Sequence, residues 1–184
     1  MGPRLVEQKQ IRKEMKIEGS RVYLRRLGEK DATQEYCDWL NDPEVNRYLV
    51  TTGATIEESR QYIKEKSESP DCLFLGIFFK ENEKHIGNVK LEPIDFKNKK
   101  AALGIMLGDK KYWGRGLGTE AMKLLLDWAF DNLGLKEVTT GAVSENKAAI
   151  KAYQKAGFQI VGAKKKSIKH GDKVYDQIVM VARK

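Results

Sequence analysis

The sequence predicts an α+β fold, a mixed sheet with helices on its faces, and three observations lead there. Three short apolar runs between Cys72 and Leu107 carry the length and punctuation of strands. After Leu117 apolar residues recur at helical spacing instead. Between the two periods stands Tyr112-Trp113-Gly114-Arg115-Gly116-Leu117-Gly118-Thr119-Glu120-Ala121, with three glycines at alternate positions. The order of elements is strand, helices, hairpin, strand, glycine loop, helix, strand, helix and two strands, as in class α+β.

Residues 1–18 are polar and charged without sustained periodicity, and read as a tail ahead of a single domain at 19–184. Val22-Tyr23-Leu24 opens a strand. Asp31 suits the N-cap of a helix carrying Tyr36, Trp39 and Leu40. Asn41-Asp42-Pro43 breaks it, and Pro43 suits the first position of a helix through Val45, Tyr48 and Leu49. Thr55 with Glu58 forms a capping box for a helix over about 56–67, closed by Ser69-Pro70. Residues 72–79 form a strand, 81–84 a turn and 85–91 the return strand. Residues 101–107 form a further strand that runs into the glycine loop. Ala121, Leu124, Leu125, Trp128 and Ala129 give the next helix its buried stripe, and Asn132-Leu133-Gly134 stops it. Residues 138–143 are a strand and 146–156 a helix stopped by Gly157. Residues 158–162 and 174–181 are closing strands around a basic turn that contains Gly171.

The 184 residues suffice for one core. No apolar run is long enough to span a membrane, and the start lacks the apolar stretch of a secretory signal, so a cytoplasmic protein is expected. Cys37 and Cys72 are isolated, without metal-ligand spacing, so no metal is expected and both suit small buried side chains in a reducing compartment. Lys and Arg outnumber Asp and Glu by 34 to 26, a net charge of +8. That field favours acidic ligands. No recognition helix, zinc module or RNP-like pattern accompanies it, so nucleic acid is not the expected partner. A polycationic substrate would be repelled unless its site is locally acidic.

Glycines in the loop admit φ > 0 and let a ligand approach with no Cβ in the way. The helix behind them aims unpaired N–H groups and the positive end of its dipole at the same place, which suits a phosphate or pyrophosphate. The spacing G-x-G-x-G is neither the dinucleotide fingerprint nor a P-loop, and the same glycines would also serve a tight turn with no ligand.

Two segments together resemble the GCN5-related N-acetyltransferase (GNAT) family. One is Gly104-Ile105-Met106-Leu107-Gly108 followed by Trp113–Ala121. The other, about 25 residues further on, is Asn146-Lys147-Ala148-Ala149-Ile150-Lys151-Ala152-Tyr153-Gln154-Lys155-Ala156-Gly157-Phe158. The resemblance covers about residues 19–182. It implies a mixed, mostly antiparallel sheet of about six to seven strands, with a splayed strand pair holding acyl-CoA. It implies acetyl-CoA as acyl donor, its pyrophosphate on the backbone of Gly114, Arg115, Gly116, Leu117, Gly118 and Thr119. Trp113 stands where the family prefers Gln or Arg. Met106 and Leu107 would lie along the pantetheine arm and offer a backbone N–H to the oxygen that gains charge. Asn146 matches a pantetheine contact, and is by itself a good N-cap.

Tyr153 matches the family tyrosine that protonates the departing thiolate. A phenol near pKa 10 beside a thiol near about 8.5 suits that transfer. The base is open, because Ala102 stands where many members carry an acid. His85, Glu92 and Asp95 lie on or beside the hairpin strand, and Glu92 is the residue taken as catalytic. A water chain or an acceptor arriving neutral would serve as well. No Cys or Ser has a nucleophile's setting, so direct transfer in a ternary complex is expected. Residues 39–43 and Tyr112-Trp113-Gly114 resemble members that acetylate N-termini of ribosomal proteins. Residues 87–91, Pro93-Ile94 and 108–113 resemble members that acetylate amino-sugar nucleotides. Trp39 and Asn41 are the expected acceptor contacts. The expected acceptor is a small-molecule amine, an amino-sugar nucleotide first, with a protein N-terminus as the alternative. A non-catalytic acyl-CoA sensor is the alternative from another class. A monomer or homodimer is expected.

Overall fold

A computed structural model describes residues 15–49, 53–170 and 173–184. The strands are β1 (Lys16–Glu18), β2 (Val22–Arg26), β3 (Leu73–Phe79), β4 (Lys84–Asp95), β5 (Lys100–Leu107), β6 (Glu137–Val143), β7 (Gln159–His170) and β8 (Lys173–Arg183). The helices are α1 (Gln34–Asn41), α2 (Ile56–Glu68), α3 (Leu117–Asn132) and α4 (Lys147–Lys155). One eight-stranded sheet runs β1-β2-β3-β4-β5-β6-β8-β7. β5 and β6 are parallel and every other neighbouring pair is antiparallel.

Both faces of the sheet are buried, which follows from the alternation along β3. Leu73, Leu75, Ile77 and Phe79 point to one face and Phe74 and Phe78 to the other. α3 and α4 cover the first face with Leu117, Ala121, Leu125 and Ile150. α1 and α2 cover the second with Tyr36, Trp39, Leu40 and Ile63. Each such fully buried aliphatic or aromatic side chain stabilises the fold by roughly 1.5–3 kcal/mol.

Several local expectations meet a different outcome. The sheet has one strand beyond the expected six to seven, because Lys16–Glu18, expected to be tail, pairs with β2. Residues 1–14 of that tail lie outside the described residues, as does Gly171. Thr33, not Asp31, caps α1, its hydroxyl accepting from Tyr36 N at 3.2 Å. Asp31 is held instead by both terminal nitrogens of Arg25, at 2.9 and 2.8 Å. Pro43 opens a turn rather than a helix, and only Asn46–Tyr48 closes a single 3₁₀ turn. The basic stretch 164–169 continues β7 rather than forming a turn. The Thr55–Glu58 capping box forms as expected.

Candidate active site

β5 and β6 pair at only three positions: Lys100 with Glu137, Ala101 with Val138 and Ala102 with Thr139. Beyond them β5 stays with β4 and β6 with β8, so the two strands part. A cleft of about 580 Å³ passes through the sheet at this gap. Leu103, Ile105 and Tyr153 line it from the α3/α4 side. Met106, Tyr36, Tyr62 and Phe74 line it from the α1/α2 side, with Tyr48 and Leu49 beyond them. Two substrates that meet end to end through a sheet need such a passage.

Tyr153 sits on α4, which Asn146 starts by accepting from Ala149 N at 3.1 Å. The tyrosine is 6% exposed and packs edge-on to Phe158 with ring centroids 5.6 Å apart. Burial lifts its phenol pKa, and its hydrogen bond with Thr140 opposes that more weakly. Thr140 has one hydroxyl proton and gives it to Leu103 O at 2.9 Å. Raised by burial, the Tyr153 phenol stays protonated at neutral pH, and it lines the gap.

Backbone direction along β5 separates the two candidates at its end. Leu103 O faces β6, where Thr140 reaches it, whereas Gly108 N faces β4 and bonds Ile86 O at 2.9 Å. Alternation then turns the N–H groups of Ile105 and Leu107 to the gap and that of Met106 to β4. Met106 serves the acceptor-side wall with its side chain instead. Trp113, 37% exposed, donates its indole N–H to Leu107 O at 2.7 Å, which ties the loop to the end of β5.

The loop adopts the backbone its glycines permit. Gly114 has φ 72° and Gly116, the N-cap of α3, has φ 75°. No side chain caps α3, so the N–H groups of residues 116–119 are left for a ligand. A Cβ added at Gly114 would meet nothing within 4 Å, which leaves the approach open. Arg21, which the sequence reading did not single out, holds this loop. It donates to Arg115 O at 2.9 Å and pairs with Glu120 at 2.9 Å. Glu120 also accepts from Arg21 N and Val22 N at 2.7 and 3.2 Å. An acid in the first turn of an anion-binding helix would oppose its ligand, and that conflict was the available signal for a cationic partner. Arg115 lies over Phe79 and Tyr112, 5.0 and 5.3 Å from their ring centroids. Loop, gap and uncapped helix together fit an acyl-CoA, with the backbone of residues 114–119 suited to its pyrophosphate and the β5 edge to its amide-bearing arm.

The remaining candidates lie around the cleft rather than in it. Trp39 is buried beside Tyr36 and His85, and its ring fills the space a Cβ at Gly108 would need. Asn41 donates to Cys37 O at 2.7 Å and Ala54 O at 2.9 Å, which fixes the segment carrying Gly53 and Ala54 to the cleft wall. His85 is a core histidine: Nε2 donates towards Gly87 O at 2.9 Å and Asn88 Oδ1 at 2.8 Å, and burial lowers its pKa. Asp95 binds Asn98 in the β4–β5 turn. Glu92 pairs with Lys66 and, at 2.7 Å, with Lys90, whose ammonium also reaches Tyr62 OH at 3.0 Å. Burial raises the Glu92 pKa, but the two lysines outweigh it and hold the carboxylate ionised. Cys72 is buried, which pushes its thiol up to about 11 and leaves no thiolate to attack. Among the described residues no cluster of His, Cys, Asp and Glu could hold a metal, and no helix is long and apolar enough to cross a membrane.

The chain belongs to the GNAT acetyltransferase family: the acetyltransferase (GNAT) domain matches residues 21–159. It is an N-acetyltransferase that uses acetyl-CoA. It is similar to the protein named uncharacterized N-acetyltransferase p20 of Bacillus licheniformis, 31% identical over 146 residues, 77% of this chain and 81% of that one. It is also similar to spermidine N(1)-acetyltransferase of Escherichia coli strain K12, 36% identical over 124 residues, 66% of this chain and 64% of that one. The crystal structure of a GNAT-family acetyltransferase from Bacillus anthracis shares the fold, with a TM-score of 0.80 at 21% identity over 92% of this chain and 98% of that one.

Proposed function

We propose that the chain acetylates the primary amine of a compact, ring-bearing small molecule, an amino-sugar nucleotide, by direct transfer. One observation carries this reading: the acceptor half of the cleft is walled by Tyr36, Tyr48, Tyr62 and Phe74 and narrowed where Tyr48 meets Tyr175, ring centroids 6.5 Å apart. Aromatic faces suit a sugar ring or a base, and a cleft of this size suits a compact amine. Glu58 is the one carboxylate among the described lining residues; Thr55 donates its backbone N–H and its hydroxyl to Oε2, which lowers the pKa and keeps the group ionised, so a polyamine would meet a single negative charge there.

Bound acetyl-CoA supplies the acetyl group as an activated thioester. The N–H groups of residues 116–119 hold the anionic end of the site, on a loop that Arg21 fixes. The Leu107 N–H, turned to the gap, is placed to donate to the oxygen that gains charge. Tyr153 gives its proton to the departing sulfur. Glu58 and Glu92 are both engaged and ionised with lowered proton affinity, so the amine enters neutral or sheds its proton to water. Glu92 then serves to hold Lys90 against Tyr62.

A thiol-release assay with acetyl-CoA tests the reading against amino-sugar nucleotides, spermidine, aminoglycosides and ribosomal-protein N-terminal peptides. Turnover confined to amino-sugar nucleotides is the expected result. Turnover confined to spermidine or peptides would overturn the acceptor assignment. Silence throughout, with acetyl-CoA still raising Tm, would favour the sensor alternative.

A further inference from the structure

Charge is spread unevenly along the chain. Residues 144–184 carry ten Lys or Arg against three Asp or Glu, so they hold seven of the eight net positive charges. Five of those lysines, at 164, 165, 166, 169 and 173, sit on the β7–β8 ribbon. The register assigns faces to them. Ile178 and Met180 of β8 point into the core beneath α3 and α4, so Tyr175 and Gln177 point to the acceptor side. Two contacts agree: Gln177 covers the space a Cβ on Gly141 would take, and Tyr175 meets Tyr48. Gly141 and Tyr48 both line the cleft.

Lys164 lies directly opposite Gln177, and Lys173 precedes Tyr175 by two residues. Both therefore share the acceptor-side face, and both are exposed. Lys169, opposite Val174, faces the other way. Inside the cleft, Lys90 is paired with Glu92, which Lys66 shares, and Glu58 accepts hydrogen bonds from Thr55. At its rim, Lys164 and Lys173 have no ion-pair partner among the described residues.

We propose that Lys164 and Lys173 form an anion subsite at the mouth of the acceptor cleft, and that it takes the diphosphate of a nucleotide-linked acceptor. The inference rests on the reading of this cleft as the acceptor site. An amine seated at the gap between aromatic walls leaves its anionic substituent at the rim, where the unpaired ammonium groups are. Lysines recognise phosphate as mobile point charges, so the subsite is tolerant in geometry and sensitive to salt.

The test uses the full chain saturated with CoA, so that the glycine loop is already filled, and titrates UDP and inorganic pyrophosphate by calorimetry. UDP is expected to bind, more weakly at 0.5 M than at 0.05 M salt. The double variant K164E/K173E is expected to weaken it about tenfold or more, since each reversal replaces attraction with repulsion. The variant K155E/K169E makes the same charge change elsewhere on the surface, with Lys169 on the other face, and should stay within about twofold. CoA affinity should hold in both, which shows that both fold. Binding of pyrophosphate as tight as UDP would place recognition in the phosphates, and binding of UDP alone would add the nucleoside; both support the subsite. UDP that fails to bind, binds K164E/K173E equally well, or is weakened as much by K155E/K169E overturns it. A chain that acetylates an uncharged amine and ignores UDP would retain the acyl-transfer reading and lose this one.

Discussion

Replacing Tyr153 with Phe removes one oxygen and little else. The ring keeps its edge-on contact with Phe158, and at 6% exposure it stays enclosed by the same neighbours. The lost hydrogen bond to Thr140 is worth about 1 kcal/mol net. Thr140 keeps its own bond to Leu103 O at 2.9 Å, so no buried donor is stranded. For a domain of this size the stability cost is a fall of roughly 2–4 °C in Tm. The catalytic cost is of another order, because a positioned proton donor contributes about 10²–10⁴-fold in rate. Single-turnover and steady-state thiol release should show kcat down by about two orders of magnitude or more. Acetyl-CoA Kd, measured by titration, should stay within about threefold. Burial keeps the phenol protonated beyond its ordinary range, so the parent should not lose this acid below about pH 10. A variant whose kcat stays within about threefold of the parent at every pH refutes the acid role. A parallel loss of acetyl-CoA affinity and kcat would move Tyr153 from chemistry to binding.

Gly116→Val places a branched side chain at φ 75°, over the N–H groups that start α3, and should raise acetyl-CoA Kd at least about tenfold. Gly134→Val, at φ 65° beyond the other end of α3, is the control: a similar loss of Tm with acetyl-CoA affinity intact, and equal losses of affinity would remove the loop from the site. His85 is buried neutral, its pKa held below the unfolded value near about 6.5, so the unfolded chain takes up the proton first. Stability is therefore full above that value and falls as pH drops below it, by at most about 1.4 kcal/mol per pH unit. Denaturant melts at pH 7.5 and 5.5 should show the fall, and His85→Gln should flatten it; an unchanged slope in the variant would show that another group is responsible.

Much of the scaffold was legible because it obeys short-range rules. The glycine loop, the α3 stripe, the Thr55–Glu58 box and the Asn146 cap depend on neighbours within a few residues, and each appears where the spacing put it. What depends on distant partners was not legible. Asp31 lost its capping role to Thr33 because Arg25, across a turn, binds its carboxylate more strongly than backbone N–H groups do. β1 has three residues and no apolar alternation, so only its pairing with β2 defines it. The basic run at 164–169 resembles a turn in composition, and β8 makes it a strand. In the site, Tyr153 lines the gap and Trp113 ties the glycine loop to the end of β5. Trp39 and Asn41 lie behind the lining on the α1/α2 side. His85 bonds Gly87 and Asn88 of its own strand and is enclosed by Tyr36, Trp39 and Phe78, and Glu92 gains Lys66 only once β4 lies against α2. Tyr36, Tyr48 and Tyr62, which line the α1/α2 side of the cleft, belong to no motif in the sequence.

The parting of β5 and β6 bears on where this sheet is open to a further strand. Unpaired strand edges invite foreign strands, and the outer ones here are poor templates: β1 is three residues long, and β7 carries Lys164, Lys165 and Lys166 at a break in its register. The gap creates a further edge in the interior, with Tyr153 of α4 on one side and Tyr36 and Tyr62 of α1 and α2 on the other. A thin chain bearing amides can satisfy the backbone groups of that edge much as a neighbouring strand would. The interruption of the ladder therefore leaves hydrogen-bonding capacity inside the protein, at the place where Tyr153 lies.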